Sequence, residues 1–189
     1  MPGQVGPISG EQDGLLSFLT QARYTLKLTA YGLTPEQLRA TASASSLSIG
    51  GLIKHCVSTE EGWIATATGA SQKPDFAAYH ENFVLTGDET VEELFARYDR
   101  AAERTEKAVA ELGLDHRIPV DHSVPWNRPD LDHFTTRWIL LHLIQETARH
   151  AGHADIIRES IDGATAFPLM AAAEGWPETP WLKPWKKDS

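Results

Sequence analysis

The sequence predicts an all-α protein built as a four-helix bundle. Three observations carry that expectation. Apolar residues recur at three- and four-residue steps through four long segments, a glycine stands at the end of each, and no set of alternating apolar residues offers strands for a sheet. Of 189 residues, 41% are apolar and 23% charged, which gives enough apolar mass for a core and too little charge bias for disorder. Two long connections, one after the second long helix and one after the third, suit a bundle with crossovers.

Residues 1–11 show no periodicity and read as a flexible lead-in. From Asp13 to Tyr31, Leu15, Leu19, Ala22 and Leu26 form a stripe, and Gly32 is a natural stop. Thr34-Pro35-Glu36-Gln37 supplies a cap, a proline at the first helical position and a Gln three residues after the cap, so a short helix opens there. Ser48 caps a second long helix that runs through Ile49, Leu52, Cys56, Trp63 and Ile64 to about Thr68, and Gly69 ends it. Residues 70–89 are loop-like. Thr90-Val91-Glu92-Glu93 is a capping box, and the third long helix follows it to Gly113. Pro119, Pro125 and Pro129 exclude a helix over 114–131 and leave a short extended excursion. The fourth long helix runs from Leu131 or Thr135 to Ile161 and ends at Asp162-Gly163. Residues 164–189, with four prolines and three tryptophans, read as an irregular strap packed on the bundle.

The 17 Lys and Arg against 26 Asp and Glu give a net charge of −9, and no basic run occurs before Lys186-Lys187. Nucleic-acid binding is therefore disfavoured. Cys56 is the only cysteine, which excludes an internal disulfide and a CxxC zinc site. No stretch approaches the ~20 apolar residues of a membrane span, and the N-terminus lacks a signal-peptide pattern, so the cytoplasm is the expected compartment.

Chemistry concentrates in the fourth long helix. With His142 set at zero and ~100° per residue, Glu146, His150 and His153 fall within ~80° of it, Arg149 lies near ~−20°, and Trp138 and Ile156 share the stripe. This face is expected to point into the core. Burying a carboxylate and several imidazoles costs several kcal/mol, about 2–7 per unpaired polar group. A divalent cation offsets that cost, because carboxylate oxygen and neutral imidazole nitrogen are ordinary ligands of zinc. Glu146 and His150 lie one helical turn apart and can reach one ion, with Arg149 as the competing partner of the carboxylate. The facing helix offers His55, on a stripe with Leu52, Thr59, Gly62, Trp63 and Thr66 from which Lys54, Glu60 and Glu61 diverge by more than ~90°. The bland alternative is a hydrogen-bonded Glu–Arg–His core network with no ion. His80, His116, His122 and His133 fit solvated or loop-bonding roles, and Cys56 fits a small packed hydrophobe. Trp126 to Pro129 and the tail tryptophans are expected to anchor irregular chain, and Arg158 to be a solvated surface charge.

Several of these motifs resemble the DinB-like (DinB/YfiT) superfamily. They are Gly32-Leu33-Thr34, Leu47 through His55, Glu60-Glu61-Gly62-Trp63, and Arg137 through His153. The similarity covers roughly residues 12–163 and is nearest to the actinobacterial branch. It implies an up-down-down-up bundle holding a divalent metal, zinc or nickel, through one His of the second long helix and two ligands of the last. Many members carry His-xxx-His there, whereas Glu146-xxx-His150 is similar to mycothiol-dependent maleylpyruvate isomerase, whose additional C-terminal domain this sequence lacks. Carried over, the ligands are His55, Glu146 and His150, with His153 either replacing Glu146 or supporting a ligand. The resemblance further implies a thiol-dependent transferase in which mycothiol occupies an open metal position as thiolate. A small electrophile would bind near Trp63, His142 and His153, and a homodimer is expected. Two alternatives stand beside it: metal-assisted hydrolysis with His153 as general base, and a non-catalytic metal-binding stress protein.

Overall fold

A computed structural model describes residues 3–70, 78–125 and 127–187. Its helices are α1 (Glu11–Leu28), α2 (Pro35–Arg39), α3 (Ile49–Ala67), α4 (Val91–Leu112), α5 (Thr136–Asp162) and α6 (Ala166–Glu174). Strands β1 (Arg117–Pro119) and β2 (His133–Thr135) form a small antiparallel ribbon, with Ile118 opposite Phe134. A 3-10 turn spans Ala78–Phe83.

The helix signals in the sequence act as expected. Thr34 and Thr90 make complete capping boxes, and Ser48 accepts from the Gly51 N–H at 3.2 Å. Gly32, Gly69, Gly113 and Gly163 stand at helix ends with φ between 72° and 74°. Helix α1 departs from expectation in its last turn, where Thr29, Ala30 and Tyr31 bond three residues back and loosen the helix before Gly32.

Side-chain contacts give the helix directions. Arg137 meets Glu11 and Arg158 meets the Thr29 carbonyl, so α1 and α5 run parallel. Lys54 meets Glu89, and Glu61 meets Arg97 and Arg104, so α3 and α4 run parallel. His55 lies beside Glu146 and Trp63 beside Trp138, which makes α3 and α5 antiparallel. The bundle is therefore up-down-down-up. Parallel neighbours α3 and α4 need a long return, and residues 68–90 provide it.

Among the described residues two large apolar clusters fill the interior, and Leu28, Ala164, Leu169 and Met170 form a smaller third under the tail. Leu26, Ile49, Leu52, Ile53, Tyr98 and Ile157 belong to one, and Leu19, Ile64, Val109, Ile139, Leu140 and Leu143 to the other. Each such side chain contributes about 1.5–3 kcal/mol of burial. Across the bundle's diagonal, Arg23 of α1 holds Glu60 of α3 in a two-pronged pair at 2.9 and 2.6 Å, and the Thr105 hydroxyl also donates to Glu60. Glu60 is thus buried in the core. It diverges from the His55 stripe, as the angular count expects, and faces α1 and α4.

The tail and Arg158 both differ from expectation. The tail contains the helix α6, because Pro168 falls at its third position, where a missing N–H costs no intrahelical bond. Arg158 is fully buried rather than solvated. It binds Asp162, donates to the Thr29 and Tyr31 carbonyls at 2.8 and 2.7 Å, and lies 4.8 Å from the Trp185 ring centroid. Trp185 also donates its backbone N–H to Pro168 and packs against Gly32, where a Cβ would come within 2.6 Å of the indole. Trp126, expected to anchor the loop before β2, lies outside the described residues, as does the stretch 71–77 of the expected 70–89 loop.

Candidate metal centre

Helices α3 and α5 bring His55, Glu146 and His150 together, with one potential ligand atom from each inside a 4.8 Å sphere of mutual separation. Glu146 Oε1 lies 3.2 Å from His55 Nε2 and 3.2 Å from His150 Nε2. Ligands at about 2.0–2.2 Å from a tetrahedral zinc ion sit ~3.4 Å apart, so each imidazole nitrogen stands from the Glu146 oxygen at close to the spacing of two ligands on one ion. Both imidazoles are buried, while the Glu146 carboxylate keeps 23% of its side-chain surface exposed. The cluster therefore has two buried imidazoles and one edge that solvent reaches. The hydrogen bonds from His150 and His55 hold the Glu146 carboxyl well below the usual carboxylate range, against the opposing effect of burial. It is ionised at neutral pH, the form that binds a cation.

The position of this edge follows from how α5 sits. Its buried residues Ile139, Leu143, Thr147, His150, Ala151, Ala154 and Ile157 centre ~100° away from His142, not on it. The polar stripe expected to face the core instead lies along the core's margin, where α5 meets α3. Trp138, Arg149 and Ile156, counted with that stripe, are exposed. Arg149 consequently does not pair with Glu146; the two imidazoles take that role.

The remaining candidates divide into two groups on either side of the triad. His142 stacks on Trp138 at 5.1 Å with 10° between planes, and Trp63 of α3 meets both edge-on. His153 lies about 16 Å further along the helix from His142. Its Nδ1 sits 3.4 Å from His150 Nδ1, the ring nitrogen opposite the one that faces Glu146. That contact puts His153 beside His150, on the side of the ring away from Glu146. A cavity of about 190 Å³ adjoins His153, lined by Ser43, Ser45, Ile156 and Ile157. Trp63, His142 and His153 thus do not form one wall. His80, His116, His122 and His133 stand outside the triad, and Cys56 is buried, its thiol pushed up by burial and by the charges of Glu146 and Glu60.

Two contributors escaped the sequence reading. Phe83 stacks on the His55 imidazole at 4.0 Å and 17°, and Tyr79 approaches it edge-on at 6.3 Å. The 3-10 turn presents both, and it can lie so close because Gly51 has no side chain: a Cβ there would fall 1.9 Å from the Phe83 carbonyl oxygen. Leu85 and the Leu38 carbonyl crowd Gly50 in the same way. The available signal was a run of aromatics, Phe76, Tyr79 and Phe83, at three- and four-residue steps between the second and third long helices.

No curated protein matches the chain significantly. A family model described as mycothiol-S-transferase matches residues 14–163, which spans α1 through α5 and includes every member of the triad. By that match, over a bundle whose helices run in the DinB-like order, the chain belongs to the mycothiol-S-transferase family.

Proposed function

We propose that this protein transfers mycothiol to a small electrophile, using a divalent ion, zinc foremost and nickel as the second candidate, held by His55, Glu146 and His150. The observation that carries the reading is the convergence of one carboxylate oxygen and two imidazole nitrogens at the margin of an apolar core. When bound, such an ion supplies an acidic coordination position at which a thiol loses its proton near neutral pH.

The chain's own residues do the rest. Glu146 brings one negative charge to the ion, and Phe83 and His153 keep the two imidazoles aimed. Buried Cys56 offers no nucleophile, so the reacting sulfur comes from the small thiol. The hydroxyls of Ser43 and Ser45, beside His153, suit the sugar part of mycothiol. Among the described residues no helix is long and apolar enough to cross a membrane. A cytoplasmic setting and a homodimer complete the proposal.

Elemental analysis of protein purified without a metal-affinity tag is expected to find about one divalent ion per chain. His55→Ala, Glu146→Ala and His150→Ala should each lose it, with mycothiol-dependent consumption of iodoacetamide falling at least about a hundredfold. His153→Ala should weaken metal binding about tenfold. An ion-free wild type that leaves the uncatalysed rate unchanged would refute the reading.

A further inference from the structure

Several hydroxyls in the helices of this bundle share one kind of partner. Those of Thr20, Thr66, Thr105 and Ser160 each donate to the carbonyl oxygen four residues back, at 2.8–3.0 Å. Thr59 of α3 departs from that pattern. The carbonyl four residues back is that of His55, but the Thr59 hydroxyl turns instead to the His55 ring, with Oγ1 3.4 Å from Nε2. The same nitrogen faces Glu146 Oε1 at 3.2 Å. Hydroxyl, imidazole and carboxylate thus meet at one atom of the triad.

Helix geometry explains how Thr59 comes to stand there. Side chains four apart share a face, so Thr59 lies one turn beyond His55 on the way to Trp63. Because α3 and α5 are antiparallel, His55 is level with Glu146, and Trp63 with Trp138 and His142. Thr59 therefore faces the stretch of α5 between His142 and Glu146. It is half-buried, as Glu146 is, whereas His55 and His150 are buried. The hydroxyl stands at the edge that solvent reaches. Helix propensity does not favour a threonine at this position, since a β-branched residue costs up to about 0.7 kcal/mol relative to alanine.

An ion on His55 changes what this hydroxyl can bond. Coordination takes the Nε2 lone pair and leaves no proton on that nitrogen, so Oγ1 loses its partner. An atom in bonding position 3.4 Å from Nε2 lies within about 4 Å of an ion held ~2.0–2.1 Å out on that nitrogen. That is the reach of a hydrogen bond to a fourth group beside the ion. His55, Glu146 and His150 fill three positions, and whatever arrives at the fourth meets a hydroxyl released from its former contact.

We infer that Thr59 is a thiol-binding residue: its hydroxyl swings off His55 and donates to the sulfur of the incoming thiol. The inference rests on the transferase reading above for the identity of that thiol. A hydrogen bond to a charged acceptor is the stronger kind, so the contact favours the ionised sulfur over the neutral thiol. It also occupies one lone pair of the sulfur and so limits the directions from which an electrophile can reach the others. The hydroxyl keeps its proton throughout, and no bond to Thr59 forms or breaks.

The test separates the hydroxyl from the shape of the side chain. Thr59→Val keeps the shape and removes the hydroxyl, Thr59→Ser keeps the hydroxyl alone, and Thr66→Val removes a hydroxyl of α3 that bonds its own helix. Valine matches threonine in branching and helix propensity, so Thr59→Val should fold as the wild type does. In cobalt-loaded protein, mycothiol binding is followed by the sulfur-to-cobalt absorption band. The Kd for mycothiol should weaken about tenfold in Thr59→Val and stay near the wild-type value in Thr59→Ser and Thr66→Val. The affinity for cobalt itself should not change in any of the three. Equal mycothiol affinity in wild type and Thr59→Val would mean that the hydroxyl turns back to the His55 carbonyl, and overturns the inference. It is also overturned if Thr59→Ser loses as much as Thr59→Val, which assigns the effect to packing of the methyl group. A parallel loss of cobalt affinity in Thr59→Val overturns it as well, by making Thr59 a support of His55. Failure of the transferase reading looks different: wild-type protein loaded with cobalt then shows no sulfur band and no turnover, and the inference falls with that reading.

Discussion

Arg158 shows how much one side chain can organise when it is denied water. It sits within the apolar interior with its donors directed to two carbonyls and a carboxylate, and its flat face under Trp185. The guanidinium thereby joins the end of α1, the end of α5 and the tail. Removing one partner of such a buried group leaves the others unpaired, at a cost of about 3–5 kcal/mol. Arg158→Leu is therefore expected to lower stability by that amount in urea unfolding, and Trp185→Ala by distinctly less, since it leaves the polar contacts intact. A loss within 0.5 kcal/mol for Arg158→Leu, about the level of a neutral surface change, would show that the contacts are incidental. The same residue was legible only as charged; i,i+4 spacing to Asp162 was visible, but the carbonyls at the end of α1 are over 125 positions away.

At the scale of elements, the connection between α3 and α4 determines the quality of the centre. Its 3-10 turn docks on the paired glycines at the start of α3, and Lys54 fastens it by reaching the Val84 carbonyl and Glu89. Phe83 then covers one face of His55. Gly51→Ala places a methyl group where the Phe83 carbonyl oxygen now lies, so the turn must lift. Helix propensity alone would favour alanine by about 1 kcal/mol. The expected outcome is nevertheless a net destabilisation in denaturant titration, together with weaker metal binding as His55 loses its stacked cover. An unchanged metal affinity would mean that the turn contributes nothing to the centre.

For the whole molecule, an ion would link helices that are distant in sequence. His55 and Glu146 are 91 positions apart, and the bundle's diagonal is already tied by Arg23 and Glu60. An ion bound only by the folded state adds about 2.7 kcal/mol at a hundredfold excess over its Kd. For a chain of this size that corresponds to a rise in Tm of about 5–10 °C. Chelator-treated protein should melt lower by that margin and recover on adding zinc, whereas the Glu146→Ala variant should show no zinc-dependent shift. A shift of equal size in that variant would place the binding elsewhere.

Helix positions, their caps and their stops were written locally. Thr34, Ser48, Thr90 and the glycines at 32, 69, 113 and 163 act within four residues of themselves, so a linear reading could find them. The pairing of Glu146 with His150 is of the same kind, since one helical turn separates them. His55 required a guess about which helix faces α5, supplied by periodicity and family resemblance together. What the chain alone could not show is rotation: a ~100° offset between His142 and the buried face of α5 decides that Glu146 is accessible and Arg149 exposed. That angle is set by how side chains of α1, α3 and α5 interlock. Close packing is a property of surfaces meeting in space, and no single segment contains it.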